Sequence, residues 1–163
     1  MTMEKKYKLT DETINLGGKK LCRIKALKDF GDVKKGDKGG FIEDEHNLSH
    51  DGNSWVYDNA KVYDNAKVFG NAMVCCDASV FGNAMVCCDA KIENNYDYIV
   101  FKNWWSSGRY FTWTRSNNMW KVGCFYGTGE ELIKKAYKDS EKSGREYERI
   151  VKYVEEIKKE NGK

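Results

Sequence analysis

Residues 68–90 read VFGNAMVCCDASVFGNAMVCCDA: eleven residues written twice, with Ser79 between the copies. A globular core rarely needs such duplication, because each of its positions has its own neighbours. A stacked array does need it. Working outward shortens the period. From Val56 the chain runs VYDNAK, VYDNAK, VFGNAM, VCCDAS, VFGNAM, VCCDAK and then Ile92, six hexads with valine first and alanine fifth throughout. A six-residue period offers no face to an α-helix, which wants apolar residues three and four apart. The third and fourth positions hold Asp58-Asn59, Asp64-Asn65, Gly70-Asn71, Cys76-Asp77, Gly82-Asn83 and Cys88-Asp89. Most of these residues tolerate left-handed backbone and suit sharp corners. Between corners, short strands turn alanine and valine to one side and the intervening residues to the other.

These hexads resemble the hexapeptide-repeat, left-handed parallel β-helix family, in which three hexads make one triangular coil. The resemblance implies two coils over residues 56–91. Ahead of them, ALKDFGDVKKGDKGGFIEDEHNLSHDGNSWVYDNAKV looks like the leading segment of YdcK-like bacterial and phage hexapeptide-repeat proteins. The likeness covers residues 26–92 and names a fold, not an activity. An irregular first coil is expected, with Ile42, Leu48 and Ser54 six residues apart in the inward register.

Three regions follow from the patterning. Residues 1–41 form a hairpin turning at Gly17-Gly18 and a turn-rich connection. Residues 42–92 form the repeat unit, and residues 93–163 an α+β domain. In the last, YDYIVFKNWW, RYFTWTRS and MWKVGCFYG read as three antiparallel strands. Thr128 and Glu131 then mark a capping box. One helix carries Leu132, Ile133, Ala136 and Tyr137 inward. A break at Ser143-Gly144 precedes a second helix with Tyr147, Ile150, Val151, Val154 and Ile157 on one side. The fold class is mainly β with C-terminal α: a short left-handed parallel β-helix between an N-terminal hairpin and a C-terminal antiparallel sheet with helices.

Composition narrows the function classes. No apolar run is long enough to cross a bilayer, and MTMEKKYKLTDE has no signal-peptide pattern. The six cysteines cluster instead of spacing out as a disulfide framework, so a reducing cytoplasm is expected. A net charge of +3 with no basic recognition helix disfavours duplex DNA. Cys75-Cys76 and Cys87-Cys88 fall on different faces of one coil, and neighbouring side chains diverge along extended chain. No metal site, catalytic cysteine or cofactor is therefore expected. Many hexapeptide-repeat enzymes are acyltransferases with a histidine base. The two histidines, His46 and His50, precede the regular hexads, and the stack of coils is only ~10–15 Å tall. An acyltransferase is thus the alternative to a non-enzymatic binding protein, with a purely structural or interaction protein as a third reading.

Two surfaces carry the functional expectation. Tyr63, Phe69, Phe81 and Met85 project outward from the coils, and apolar sides of this kind call for cover by another subunit, a homo-trimer in the family's manner, or by the chain's own helices. Residues 96–127 hold Lys102, Arg109, Arg115 and Lys121 against the one acid Asp97, among Trp104, Trp105, Trp113 and Trp120. Strand alternation sets Arg109, Trp113 and Arg115 on one face, with Lys121 and Trp105 beside them. Flat rings stack on bases and guanidinium groups grip phosphate, so this face is expected to bind a small phosphate-bearing nucleotide. The phage resemblance suggests sequestration of a cyclic nucleotide signal of antiviral defence.

Overall fold

The computed structural model describes residues 4–161. β1 (Tyr7–Leu16) and β2 (Lys19–Ala26) form the expected antiparallel hairpin, with Gly17 and Gly18 both at positive φ in the turn. β3 (Lys38–Ile42) pairs antiparallel with β2 on one edge and parallel with the repeats on the other.

Seven two-residue strands follow: β4 (Trp55–Val56), β5 (Lys61–Val62), β6 (Lys67–Val68), β7 (Met73–Val74), β8 (Ser79–Val80), β9 (Met85–Val86) and β10 (Lys91–Ile92). Each pairs in parallel with the strand three hexads away, Lys61 opposite Ser79 and Lys67 opposite Met85. The chain therefore visits three separate small sheets in turn and returns to each after three hexads. The first valine and fifth alanine of every hexad are buried, none more than 1% exposed. At about 1.5–3 kcal/mol for each fully buried valine, this interior column is the main stabilising term of the repeat.

The corners turn at the third position of each hexad. Asp58, Asp64, Gly70, Cys76, Gly82 and Cys88 all have φ between 54° and 68°. The aspartates do more than turn: their carboxylates accept hydrogen bonds from the Cys76 and Gly82 amides in the next layer. The first coil departs from the expected register. Ile42 stands opposite Val62 and Leu48 opposite Val68, but it is Val56, not Ser54, that stands opposite Val74. Ser54 takes the alanine position, and the intervening loop absorbs two extra residues.

The first and last strands of such a stack leave backbone amides and carbonyls without a neighbouring strand, and each must find a partner. At the leading end the hairpin supplies donors. The Tyr7 hydroxyl donates to Leu48 O at 2.7 Å, and the Lys6 ammonium donates to Ser54 O at 2.7 Å and to Gly52 O at 3.3 Å. At the trailing end the C-terminal region supplies acceptors. Asn95 Oδ1 receives Ser79 N at 2.7 Å, Thr112 Oγ1 receives Met85 N at 2.9 Å, and Ser116 Oγ receives Lys91 N at 2.8 Å. All three sheets end this way. The flanking regions thus cover the last strands of the repeat stack.

Lys6 is fully buried, and its ammonium lies 4.7 Å from the Phe30 ring centroid. Burial pulls its pKa down to about 8, against the pull of Asp51 upward. Between that value and the ordinary 10.5 the unfolded chain holds a proton that the folded chain has released, so this lysine adds stability as pH rises through the window. Relative to Lys6→Met, the wild-type protein is expected to gain about 2 kcal/mol between pH ~7.5 and ~9.5. Urea unfolding of both proteins at the two pH values checks this. A constant difference would show that Lys6 stays charged in the folded chain.

The C-terminal sheet has four strands where three are read from the sequence: β11 (Tyr98–Lys102), β12 (Tyr110–Thr114), β13 (Met119–Val122) and β14 (Phe125–Gly127). Gly123, at φ 55°, splits the last segment into a hairpin. α1 (Gly129–Asp139) opens with the Thr128–Glu131 capping box, and α2 (Glu141–Asn161) packs against it. The helix break falls at Ser140, in extended conformation; Ser143-Gly144 lies inside the first turns of α2. Tyr137, expected inward, is 41% exposed and donates its hydroxyl to Glu148. The sheet separates two cores. Tyr98 and Val100 pack onto the repeat interior, whereas Ile99, Phe101, Phe111, Trp113 and Trp120 pack with the helices. Among the described residues no helix is long and apolar enough to cross a membrane.

Candidate functional site

The alternation of β12 decides where the expected ligand residues go. Phe111 and Trp113 turn to the helices and Thr112 to the end of the repeat stack. Both faces of the sheet are thus covered, by α1 and α2 on one side and the repeats on the other. The Arg109–Trp113–Arg115 face, expected to bind the ligand, is therefore largely covered by the helices. Trp113 is 2% exposed, and its indole N–H donates to Asn118 Oδ1 at 2.8 Å.

The two arginines flank this buried ring and open into different cavities. Arg115 and one edge of Trp113 line a cleft of about 800 Å³ between the start of β11 and the last turns of α2. Tyr96, Asn94, Lys158 and Asn161 are among the other residues of its wall. Arg109 lines a second cavity of about 450 Å³, with Asn103, Lys135, Asp139 and Tyr147. Its guanidinium lies against Gly123, where any side chain would collide with it. Lys121 points to the repeats, its ammonium 5.9 Å from the Phe69 ring. Trp105 is a brace: its N–H donates to Ser143 Oγ at 2.9 Å and its ring meets Tyr147 edge-on. Of the five expected residues, the structure brings only Trp113 and Arg115 to one cavity.

The larger cleft is built on a turn. Asp97, nearly buried, accepts the Glu93 and Asn94 amides and holds residues 93–97 against the sheet. Its second oxygen lies 3.7 Å from the Arg115 guanidinium, too far for a strong hydrogen bond. The Arg115 side chain is about two-fifths exposed, its guanidinium lies 6.0 Å from the Tyr96 ring, and Tyr96 is itself 70% exposed. Lys158 adds a second cation, with Glu155 3.5 Å away. Tyr96 and Lys158 escape a reading of the sequence. Tyr96 sits in a turn without periodicity, and Lys158 belongs to a helix face that reads as solvated. The nearest signal is the Asn94-Asn95-Tyr96-Asp97 turn, which places a ring beside Arg115, just past the end of β12, once β11 and β12 are paired.

Of the four outward residues of the repeat, Tyr63 and Phe81 stack on each other, centroids 5.3 Å apart and planes 7° from parallel. Phe81 is 44% exposed. Phe69 and Met85 lie on the third side and are half-buried, Phe69 under Lys121 and Met85 beside β12.

Neither histidine has a nitrogen free to take a proton from a substrate. His50 Nδ1 accepts the Lys6 amide, so Nε2 carries the hydrogen that goes to Glu45 at 2.8 Å; the ring stacks on Tyr7. His46 faces two acceptors, the Asp44 carboxylate at 2.9 Å and the Asp64 carbonyl at 2.8 Å. Both bonds favour the imidazolium and raise its pKa, Asp44 most.

The cysteines depart from expectation. Adjacent thiols do not diverge: Cys75 and Cys76 Sγ are 3.4 Å apart, and Cys87 and Cys88 Sγ 3.1 Å. The cause is the corner, where the positive φ of the second cysteine swings its side chain back beside the first. Burial and the neighbouring thiol push Cys75 and Cys87 up to about 12, which leaves both protonated and poor nucleophiles at neutral pH. No protein-family model matches the chain, and no curated protein does.

Proposed function

We propose that this protein is a non-catalytic binding module: a short left-handed parallel β-helix of the hexapeptide-repeat type carrying an α+β domain that holds a small phosphate-bearing nucleotide. The observation that carries the reading is the meeting of Arg115, Lys158 and the Tyr96 ring in one open cleft of about 800 Å³. A guanidinium with unsaturated donors grips phosphate, an exposed ring stacks on a base, and an ammonium adds charge without fixed geometry. Arg109 is left out of the site, and Trp113 serves as its floor. The commitment of both histidines to other partners supports binding over acyl transfer, whose family enzymes use a histidine base.

The wider role follows by analogy with the phage-like segment at residues 26–92: a phage-encoded protein that sequesters a cyclic nucleotide signal in the bacterial cytoplasm. The six free cysteines suit that compartment. Assembly into a trimer would use the sides of the stack, where Tyr63 and Phe81 stand outward, because the flanking regions occupy the two ends of the repeat strands.

Native mass spectrometry of the protein taken from a bacterial lysate reports subunit number and retained ligand in one spectrum. Calorimetry against linear and cyclic nucleotides then tests the site. Arg115→Ala is expected to weaken binding about ten- to a hundredfold, as the loss of a charge-assisted hydrogen bond implies. Tyr96→Ala should weaken it by a similar factor if a base stacks there, and Arg109→Ala should leave it unchanged. Absence of nucleotide binding, or binding indifferent to Arg115 and Tyr96, overturns the reading.

A further inference from the structure

The corner cysteines have no evident structural purpose. Equivalent corners are turned by Gly70 and Gly82 at no steric penalty, and by Asp58 and Asp64 with a hydrogen bond to the next layer. A cysteine at φ 62° meets the penalty of a left-handed L-residue and returns no such bond. What it does achieve is convergence. Cys75 Sγ and Cys76 Sγ lie 3.4 Å apart, and the carboxylate of Glu93 comes up beneath them. Glu93 stands one layer on in the same column as Cys75, a layer fixed by the hydrogen bond from Cys75 N to Ile92 O at 2.9 Å. All three donor atoms lie within 4.8 Å of one another.

Those distances match a known coordination shell. Zinc bound tetrahedrally, with sulfur at about 2.3 Å, sets its two sulfurs roughly 3.8 Å apart and its carboxylate oxygen slightly closer. We propose that Cys75, Cys76 and Glu93 form a site for a thiophilic d¹⁰ divalent cation, zinc foremost, held by two thiolates and one carboxylate oxygen with the fourth position open to solvent. Binding releases the two thiol protons to solvent and changes no oxidation state. Cys76 and Glu93 are exposed, so the ion enters without opening the core. Lys91, 3.8 Å from Glu93, is a surface pairing that a divalent ion displaces readily.

The chain contains its own control. Cys87 and Cys88 repeat the dithiol at 3.1 Å, but the stack ends there, and among the described residues no carboxylate joins them in a three-ligand group. The adjacent Asp89 is already engaged by the Asn117 amide and the Tyr126 hydroxyl. The second pair is therefore two ligands short of a tetrahedral shell, against one for the first.

The 163-residue chain, reduced and stripped of metal by a chelator, is titrated with Cd²⁺ alone, reading the ultraviolet thiolate-to-cadmium charge-transfer band, and then with Zn²⁺ in competition. The band is expected to saturate at one equivalent and to collapse as Zn²⁺ displaces Cd²⁺. Cys75→Ser and Cys76→Ser should each abolish stoichiometric binding. Glu93→Gln, at an exposed side chain that leaves the fold alone, should weaken it at least by the roughly tenfold that loss of even an outer-shell partner costs. Cys87→Ser with Cys88→Ser should leave the titration unchanged. No band at one equivalent overturns the proposal. So does a band that survives Cys75→Ser with Cys76→Ser, or an affinity indifferent to Glu93→Gln.

Discussion

Trp113→Ala is expected to lower the stability of the protein by about 3–5 kcal/mol. The ring is 2% exposed and packs in the helix-facing core with Phe111, Trp120, Tyr147, Val151 and Val154. Alanine leaves a cavity the size of an indole, and it deprives Asn118 of the N–H that reaches its Oδ1 at 2.8 Å. The effect should spread beyond the C-terminal domain. Thr112 on the same strand, and Ser116 just past it, supply acceptors for the last amides of the repeat stack, so loosening the sheet uncaps the coils. A single urea transition with a lower midpoint is the expected result. A change below about 1 kcal/mol would place Trp113 outside the load of the core. One practical consequence concerns the ligand cleft: loss of binding in Trp113→Ala would not identify a contact, whereas the same loss in Tyr96→Ala, at a ring 70% exposed, would.

Gly70→Ala and Gly82→Ala should differ sharply although the two residues occupy the same position in identical copies of the duplicated stretch. Both have left-handed backbone, φ 68° and 66°. Each alanine therefore meets a penalty of about 1–2 kcal/mol. At Gly70 the new Cβ would also stand 2.8 Å from Cys88 N, in the layer stacked on it, whereas at Gly82 nothing lies within 4 Å. Displacing backbone in a packed stack adds about 1–3 kcal/mol, so Gly70→Ala is expected to cost roughly 2–5 kcal/mol and Gly82→Ala only the first part. Thermal or urea unfolding of the two variants decides it. Equal losses would mean that the layers are spaced more loosely than the hydrogen bond from Asn71 N to Cys88 O at 2.8 Å implies.

That contrast also marks the boundary between what a sequence states and what it leaves to the tertiary fold. The six hexads dictate their own local structure, because valine and alanine repeat at the inward positions and most corners carry residues suited to positive φ. Parallel pairing three hexads apart is what the resemblance to hexapeptide-repeat proteins implies, and the strands pair that way. The capping box at Thr128 and the helical faces of Leu132, Ala136, Tyr147, Val151 and Val154 are legible for the same reason: the governing interactions lie within a few residues. Identical copies cannot say which of them is last, however. Only the fold reveals that Gly70 has a layer stacked on its corner and Gly82 none. It likewise decides that carbonyls at one end meet Lys6 and Tyr7, while amides at the other meet Asn95, Thr112 and Ser116. The candidate site divides along the same line. Arg115 and Trp113 stand out in the sequence as a cation and a ring two residues apart. Their separation from Arg109, and their meeting with Tyr96 and Lys158, depend on where α2 crosses the sheet. That crossing is set by packing between residues distant in sequence, Phe111 and Trp105 against Tyr147 among them, which no local pattern encodes.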